Sequence, residues 1–457
     1  MTRSVYTHAV RVFVSLYLVE AAVLLILVGL YKAPVYDWTL LPTKAGIALV
    51  VGVISLIASG WLLVRRTAET GGCRERAFRL GLTTNLLSLL SAYAILETSI
   101  RVAARETDEG IVVGSVVVQP TWPELKSRSR QVLAGIKNWG NRASFFVYDR
   151  ELGWTVGHNR RSRDGKYFSS IEGIRSAGPN MRMTDHARRF RVALIGDSHA
   201  FSLEAPFEES WGDQLRRLLG DDVQVLNFGV DGYGIDQIYL RYLRDVRPWK
   251  PQVVVIGFGG HDLWRTMAVY PFAAFGWPGY LVKPRFSIEK GELQLLNLPL
   301  PTPDQILNSD QIHQLPFVEY DLGYWTDGWS WRLDRGGLLL RFLTSAFPRS
   351  AAADPRVSLE ATKALNSRLL TQIFASIEEA GSSPLLVFMA APNAIVPETL
   401  SRAHVSFLDM TECVTKVPAD RRMAPDGHHY SGLGNLAIAQ CTAPGVKLAL
   451  EKYVDLT

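Results

Sequence analysis

Two short stretches hold residues whose types and spacing could do chemistry. The first is RVALIGDSHAFS, residues 191–202, where an apolar run (Val192, Ala193, Leu194, Ile195) breaks at Gly196 and delivers Asp197, Ser198 and His199. The second is DGHHYSGLGN, residues 426–435, in which Asp426 stands three residues before His429. A serine hydroxyl is a poor nucleophile until a base takes its proton. His429 has the chemistry of that base, and Asp426 can orient the imidazole and stabilise the imidazolium. Each stretch alone has a plainer reading. Gly-Asp-Ser is a common turn or helix cap, and Asp-Gly-His-His is a turn with surface histidines or a weak metal site. No HExxH motif and no second acidic cluster accompanies the histidines, so no metal ligands are assigned. The chain has no GxSxG elbow, which argues against the α/β-hydrolase route to a serine triad.

Elements must bring these stretches together. From residue 190 onward, apolar runs at 191–195, 223–228, 252–257, 384–389 and 404–408 alternate with amphipathic stretches such as EESWGDQLRRLL, IDQIYLRYLRDV and SRLLTQIFASIEEA. Short apolar strands between helices predict a parallel sheet covered on both faces. In such sheets the functional crevice lies beyond the carboxyl ends of the strands. Ser198 follows the first run, GVDGYG the second and GFGGHD the third, while DGHHYSGLGN precedes the last helix.

In this order the blocks resemble those of the SGNH hydrolase superfamily, the GDSL esterases, in its membrane-anchored bacterial type. The resemblance covers about residues 145–455, and within it ELGWTVGHN and IEGIR, upstream of the first block, look like the lead-in of membrane-anchored bacterial members. It implies a three-layer α/β/α flavodoxin-like fold and a serine hydrolase of ester bonds that needs no cofactor. It also implies a Ser198, His429 and Asp426 triad. The oxyanion hole would combine Ser198 with a glycine of NFGVDGYG, Gly232 in preference to Gly229. The third block of the family reads Gly-x-Asn-Asp, whereas this chain has Gly259-Gly260-His261-Asp262. His261 therefore stands where an asparagine would donate, and we expect it to donate through a ring nitrogen. Asp197 is expected to tie the turn together, with His199 and His428 positioning or facing solvent. The strand-to-helix junction at Ser198 is also expected to supply the positive end of a helix dipole.

The chain has 457 residues, too many for one ordinary domain. Its 47% hydrophobic content is concentrated at the front. Residues 12–31, with Glu20 as the only charge, and residues 46–64, with none, each reach the roughly 20 apolar residues that span a bilayer. The first lacks a small-residue cleavage site and reads as an uncleaved anchor. Residues 81–100 are interrupted by Thr83, Thr84, Asn85 and Glu97 and read as a third crossing in preference to a surface helix. Arg65, Arg66, Arg74, Arg76 and Arg79 crowd the loop before it, against Lys32 and Lys44 in the previous loop. Positive loops stay cytoplasmic. The chain beyond about residue 101 is then expected on the extracytoplasmic, periplasmic side of the inner membrane. Cys73 falls on the reducing side, leaving Cys413 and Cys441 outside as a disulfide or as separate thiols.

The expected organisation is a membrane anchor over 1–100, a linker over 101–145 and a hydrolase domain over 146–457. The linker holds a β-prone run, Ile111 to Val118, and a basic helix from Glu124 to Lys137. An insertion over about 263–355 includes a hairpin around Glu289-Lys290-Gly291 and the aromatic residues Tyr324, Trp325, Trp329 and Trp331. Those rings suit stacking on sugar faces or an acyl chain, or they form a small core of the insertion. The net charge of +5 is dispersed and points to no nucleic acid. The leading expectation is an esterase removing acyl groups, acetyl foremost, from a cell-envelope carbohydrate. A lipid substrate would look the same. One alternative is an O-acetyltransferase, since GDSHA resembles the nucleophile block of envelope glycan acetyltransferases. That activity would require a partner membrane protein as acyl carrier. Another is a non-catalytic glycan-binding or assembly protein, favoured by the altered third block and opposed by the intact Ser198, Asp426 and His429.

Overall fold

The computed structural model describes residues 3–32, 51, 53–54, 71–107, 110–135, 144–322, 337–346, 359–389 and 396–454. The second expected membrane segment, apart from residues 51, 53 and 54, lies outside them, as do Tyr324, Trp325, Trp329 and Trp331.

Five parallel strands form the central sheet: β1 (Phe190–Gly196), β2 (Val223–Asn227), β3 (Val253–Phe258), β4 (Ser383–Phe388) and β5 (Phe407–Asp409). Their spatial order is β5-β4-β3-β1-β2, a doubly wound, flavodoxin-like arrangement. Val253 of β3 lies opposite Val192 of β1 on one side and Ser383 of β4 on the other. Alternate side chains leave opposite faces of a strand, and β1 divides accordingly. Val192 and Leu194 pack with Trp211, Leu215, Ile438 and Val446, whereas Ala193 and Ile195 pack with Ile238, Leu369 and Ile373. Helices α2 (Trp211–Leu219) and α6 (Gly432–Glu451) thus cover one face, and α3 (Ile235–Arg241) and α5 (Leu359–Glu379) the other. The fold is three-layered, α/β/α.

The fifth strand begins later than the apolar pattern predicts. His404 has a left-handed backbone (φ 54°) and its N–H closes on Ser401 O at 3.2 Å. Extended backbone can start only beyond that turn. The hairpin does form, from Phe286–Glu289 and Glu292–Leu295, through Lys290 (φ 52°) and Gly291 (φ 85°). Two consecutive left-handed residues are what a tight two-residue hairpin turn requires.

The chain divides into two compact units, one of residues 1–121 with 327–355, the other of 122–326 with 356–457. The first contains the helices Arg3–Lys32 and Gly71–Ala103, together with a three-stranded antiparallel sheet built from Arg105–Thr107, Gly110–Val113 and Val116–Val117. Glu75–Ala103 is long and apolar enough to cross a membrane. The two polar interruptions noted in the sequence meet here, with Asn85 Nδ2 donating to Glu20 Oε2 at 3.4 Å. Pairing of this kind removes the cost of isolated polar groups in an apolar helix pair. Part of the insertion also belongs to this unit. Glu97 accepts the N–H groups of Leu338 and Leu339, each at 2.8 Å, and so caps the helix Leu338–Ala346.

The second unit carries the sheet and the rest of the insertion. Trp122–Leu133 is the helix expected from the basic stretch, with Trp122, Leu125 and Val132 buried. A buried Lys283–Asp236 ion pair fastens the first leg of the insertion to α3. In addition, Asp321 accepts the N–H of Val269 at 3.0 Å and of Tyr270 at 2.6 Å. Cys413 and Cys441 form a disulfide, with Cα atoms 6.4 Å apart.

Candidate active site

The carboxyl end of β1 is built around Gly196, whose φ is 151°. A Cβ there would lie 2.3 Å from Gly257 O and 2.6 Å from Ala200 Cβ, so only glycine lets β1 and β3 close on the turn. Asp197 caps the helical turn α1 (Ser198–Phe201), its Oδ1 accepting the His199 N–H at 2.9 Å. Ser202, with φ 59°, ends that turn after four residues. The dipole expected from the sequence therefore reduces to a single turn, and the local N–H groups are what remain of it. Ser198 is 3% exposed, and its Oγ lies 3.5 Å from Asp197 Oδ2.

The second block is pinned beside this turn. Asn227 at the end of β2 donates to Ala200 O at 2.9 Å and accepts the Gly229 N–H at 2.9 Å. A Cβ on Gly229 would stand 2.4 Å from Phe201 N, so this glycine is a point of backbone contact. Its N–H is committed to Asn227. Gly232 has φ 78° and sits against Trp154 and Tyr280. Neither its N–H nor that of Ser198 donates to a protein acceptor among the described residues.

Asp426 and His429 share one turn. His429 Nδ1 donates to Asp426 Oδ2 at 2.5 Å, and Asp426 Oδ1 accepts the N–H of His428 at 3.0 Å and of His429 at 3.1 Å. Partial burial alone would raise the Asp426 carboxyl. The His429 ring and the two N–H groups outweigh it and hold the group below the ordinary aspartate value. Tyr430 donates its hydroxyl to Met389 O, just beyond β4, while Gln214 Nε2 of α2 donates to Gly432 O at 2.9 Å. These bonds fix the turn to the carboxyl edge of the sheet. The His199 ring lies 5.4 Å, centroid to centroid, from both His429 and Tyr430, so the first and last blocks meet through it. Ser198 makes no hydrogen bond to His429 among the described residues; its hydroxyl faces Asp197. Rotation about χ1 moves that hydroxyl between staggered positions without backbone change. His428 is exposed.

The third block joins the first through charge. His261 Nε2 donates to Asp197 Oδ2 at 2.7 Å and lies 3.4 Å from Asp262 Oδ1. Arg265 Nη1 bonds the same Asp197 oxygen at 3.1 Å and Asp262 Oδ1 at 2.7 Å. Sequence reasoning missed Arg265, although it follows Asp262 by one helical turn of α4 (Gly260–Arg265). It also missed Asn227 and Tyr430. Burial pushes both carboxyls up. At Asp197 the adjoining His199 and His261 rings and the Arg265 guanidinium reverse the direction and hold it well below the ordinary value. At Asp262 burial and the neighbouring Asp197 charge prevail, and the group is raised. Burial also pulls His199 down to about 4, so this ring is neutral near pH 7, and its buried Nδ1 has no hydrogen-bond partner among the described residues. Ligand atoms of Asp197, His199 and His261 lie within 4.8 Å of one another. The Asp197 charge in that trio is already balanced by Arg265 and His261.

Residues 194–289 match the GDSL-like lipase/acylhydrolase family, a span that includes the first three blocks and stops short of Asp426 and His429. No curated protein matches the chain. Among solved structures, TesA is 14% identical, with 57% of this chain and 99% of that chain covered and a TM-score of 0.32. A putative lipolytic protein of the G-D-S-L family from Desulfitobacterium hafniense DCB-2 is 14% identical, with 56% and 98% covered and a TM-score of 0.29. Axe2, an acetylxylan esterase from Geobacillus stearothermophilus, is 14% identical, with 56% and 94% covered and a TM-score of 0.30. At such low similarity these three carry no weight on substrate or mechanism. The family match and the doubly wound sheet agree in place: the residues similar to the GDSL-like lipase/acylhydrolase family run through β1, β2 and β3 and include Ser198 at the carboxyl end of β1.

Proposed function

We propose that the protein is a membrane-anchored extracytoplasmic esterase that removes acyl groups, acetyl foremost, from a cell-envelope carbohydrate, with Ser198 as nucleophile. The observation that carries this reading is the Asp426–His429 pair, hydrogen-bonded at 2.5 Å on a turn whose neighbouring ring, His199, immediately follows the serine. In the proposed reaction His429 Nε2 takes the Ser198 proton as Oγ attacks the ester carbonyl. Asp426 steadies the imidazolium. His429 then returns the proton to the leaving alcohol, and water repeats the sequence on the acyl-serine. Gly232 suits the role of backbone donor to the oxyanion better than Gly229, because the Gly229 N–H is already bonded to Asn227.

Two further observations support the location. Glu75–Ala103 has the length and composition of a crossing helix, and a Cys413–Cys441 disulfide suits an oxidising compartment. Acyl transfer to a sugar hydroxyl would use the same three side chains with a different acceptor. The test is the full chain in detergent, incubated with p-nitrophenyl acetate and acetylated polysaccharides, with Ser198→Ala as control. Release of acetate that is lost in the variant supports the esterase. Acetate appearing on an added glycan in place of water marks the transferase.

A further inference from the structure

We propose that His261 is a proton-gated oxyanion donor, able to offer an N–H to the reacting ester only as the imidazolium. The inference rests on the reading of Ser198 as nucleophile. Its first support is that Nε2 is committed. It lies 2.7 Å from Asp197 Oδ2 and 3.4 Å from Asp262 Oδ1, and an ionised carboxylate oxygen only accepts. Nε2 therefore carries a hydrogen in either charge state of the ring. Nδ1 is then the one ring nitrogen left for a ligand, and it has no hydrogen-bond partner among the described residues. With the side chain 39% exposed, it is not sealed off.

The two charge states then differ in sign at Nδ1. The neutral ring presents a lone pair, which repels an oxyanion. The imidazolium presents an N–H and a positive charge. An asparagine at this place would donate at every pH, whereas a histidine held through Nε2 does not. The ring opens α4 directly beyond β3 and lies 5.4 Å from the His199 ring, which is itself 5.4 Å from His429.

The groups facing His261 are Asp197 from the β1 turn, His199 from α1, and Asp262 and Arg265 from its own helix. Burial pulls the ring down. Asp262 and the Asp197 hydrogen bond outweigh burial, with Arg265 opposing, and the balance lies above the ordinary histidine value. Catalysis then needs two histidines in opposite states, His429 neutral to accept the Ser198 proton and His261 charged to hold the oxyanion. The His261 proton stays on its ring throughout.

The test is the pH profile of kcat/KM for p-nitrophenyl acetate hydrolysis by the full chain in detergent, between about pH 5 and 9, with Ser198→Ala as blank and folding checked by circular dichroism. The wild type is expected to lose activity on the alkaline side, by about tenfold per pH unit once His261 has titrated. His261→Asn is expected to lack that alkaline fall. His261→Ala is expected to lack it too and to be about 10²- to 10³-fold slower at the optimum. Asp262→Asn keeps the histidine but removes one charge favouring the imidazolium, so the alkaline limb should move to lower pH. An alkaline limb unchanged in His261→Asn, or unmoved in Asp262→Asn, overturns the inference while leaving the nucleophile reading intact. A Ser198→Ala protein that retains the rate overturns the nucleophile reading instead.

Discussion

His429 Nδ1 donates to Asp426 Oδ2 at 2.5 Å, and the residue after this histidine, Tyr430, is bonded to the backbone beyond β4. The pair needs no other element to form, but it needs Tyr430 to be aimed. Asp426→Asn removes the acceptor charge and leaves the turn's size unchanged. Its kcat for ester hydrolysis is expected to fall by about 10³–10⁴, with KM little altered. A loss of less than tenfold would separate Asp426 from the mechanism.

Tyr430→Phe tests the aiming. One buried hydrogen bond is lost, and the Met389 carbonyl is left unsatisfied, at a cost of about 1–3 kcal/mol. Urea unfolding should register that loss, and kcat should fall with it. Unchanged stability would mean that the hydroxyl bond to Met389 O contributes nothing.

Asp197 gathers His261, Arg265 and the His199 N–H in a fully buried position. Asp197→Ala leaves those cations without their shared partner, and the expected destabilisation is about 3–5 kcal/mol. Chemical denaturation of the purified chain reads this directly.

His199 gives the site an acid limit on stability. Its folded value, about 4, lies below the unfolded 6.5, so the folded protein resists charging a ring that the unfolded chain charges freely. The sign follows. Above pH 6.5 the ring is neutral in both states and contributes no pH dependence. Between 6.5 and about 4 the unfolded state binds the extra proton, and stability falls as pH falls, by up to about 3 kcal/mol. His199→Gln should flatten the Tm profile in that window. An identical profile would place the acid limit elsewhere.

The disulfide closes a sequence separation of 28 residues, and reducing it should cost about 3–4 kcal/mol. Alkylation of the denatured but unreduced chain should label one of its three cysteines. Labelling of all three would contradict the bond.

The sheet was legible because burial on both faces leaves β1, β3 and β4 as largely apolar runs and β2 as one broken by Gln224, with punctuation at their carboxyl ends. The hairpin at Lys290-Gly291 was legible for a similar local reason. The links that assemble the site were less so. The Asp197–Arg265 ion pair joins residues 68 apart, and the Asn227 bond to Ala200 joins residues 27 apart. No local period announces such contacts. Arg265 was one helical turn from Asp262 and could have been read as its partner. The division of the insertion also escaped the sequence, because it depends on Glu97, a charge in an apolar helix, capping Leu338 and Leu339. Glu97 was read only as an interruption of the membrane segment.

The most direct test of the account is covalent labelling of the full chain with a fluorophosphonate, followed by peptide mass spectrometry. One adduct is expected, on the Ser198 hydroxyl, formed far more slowly in Asp426→Asn and absent in Ser198→Ala. Ester hydrolysis by a chain whose Ser198 is neither labelled nor required would contradict it.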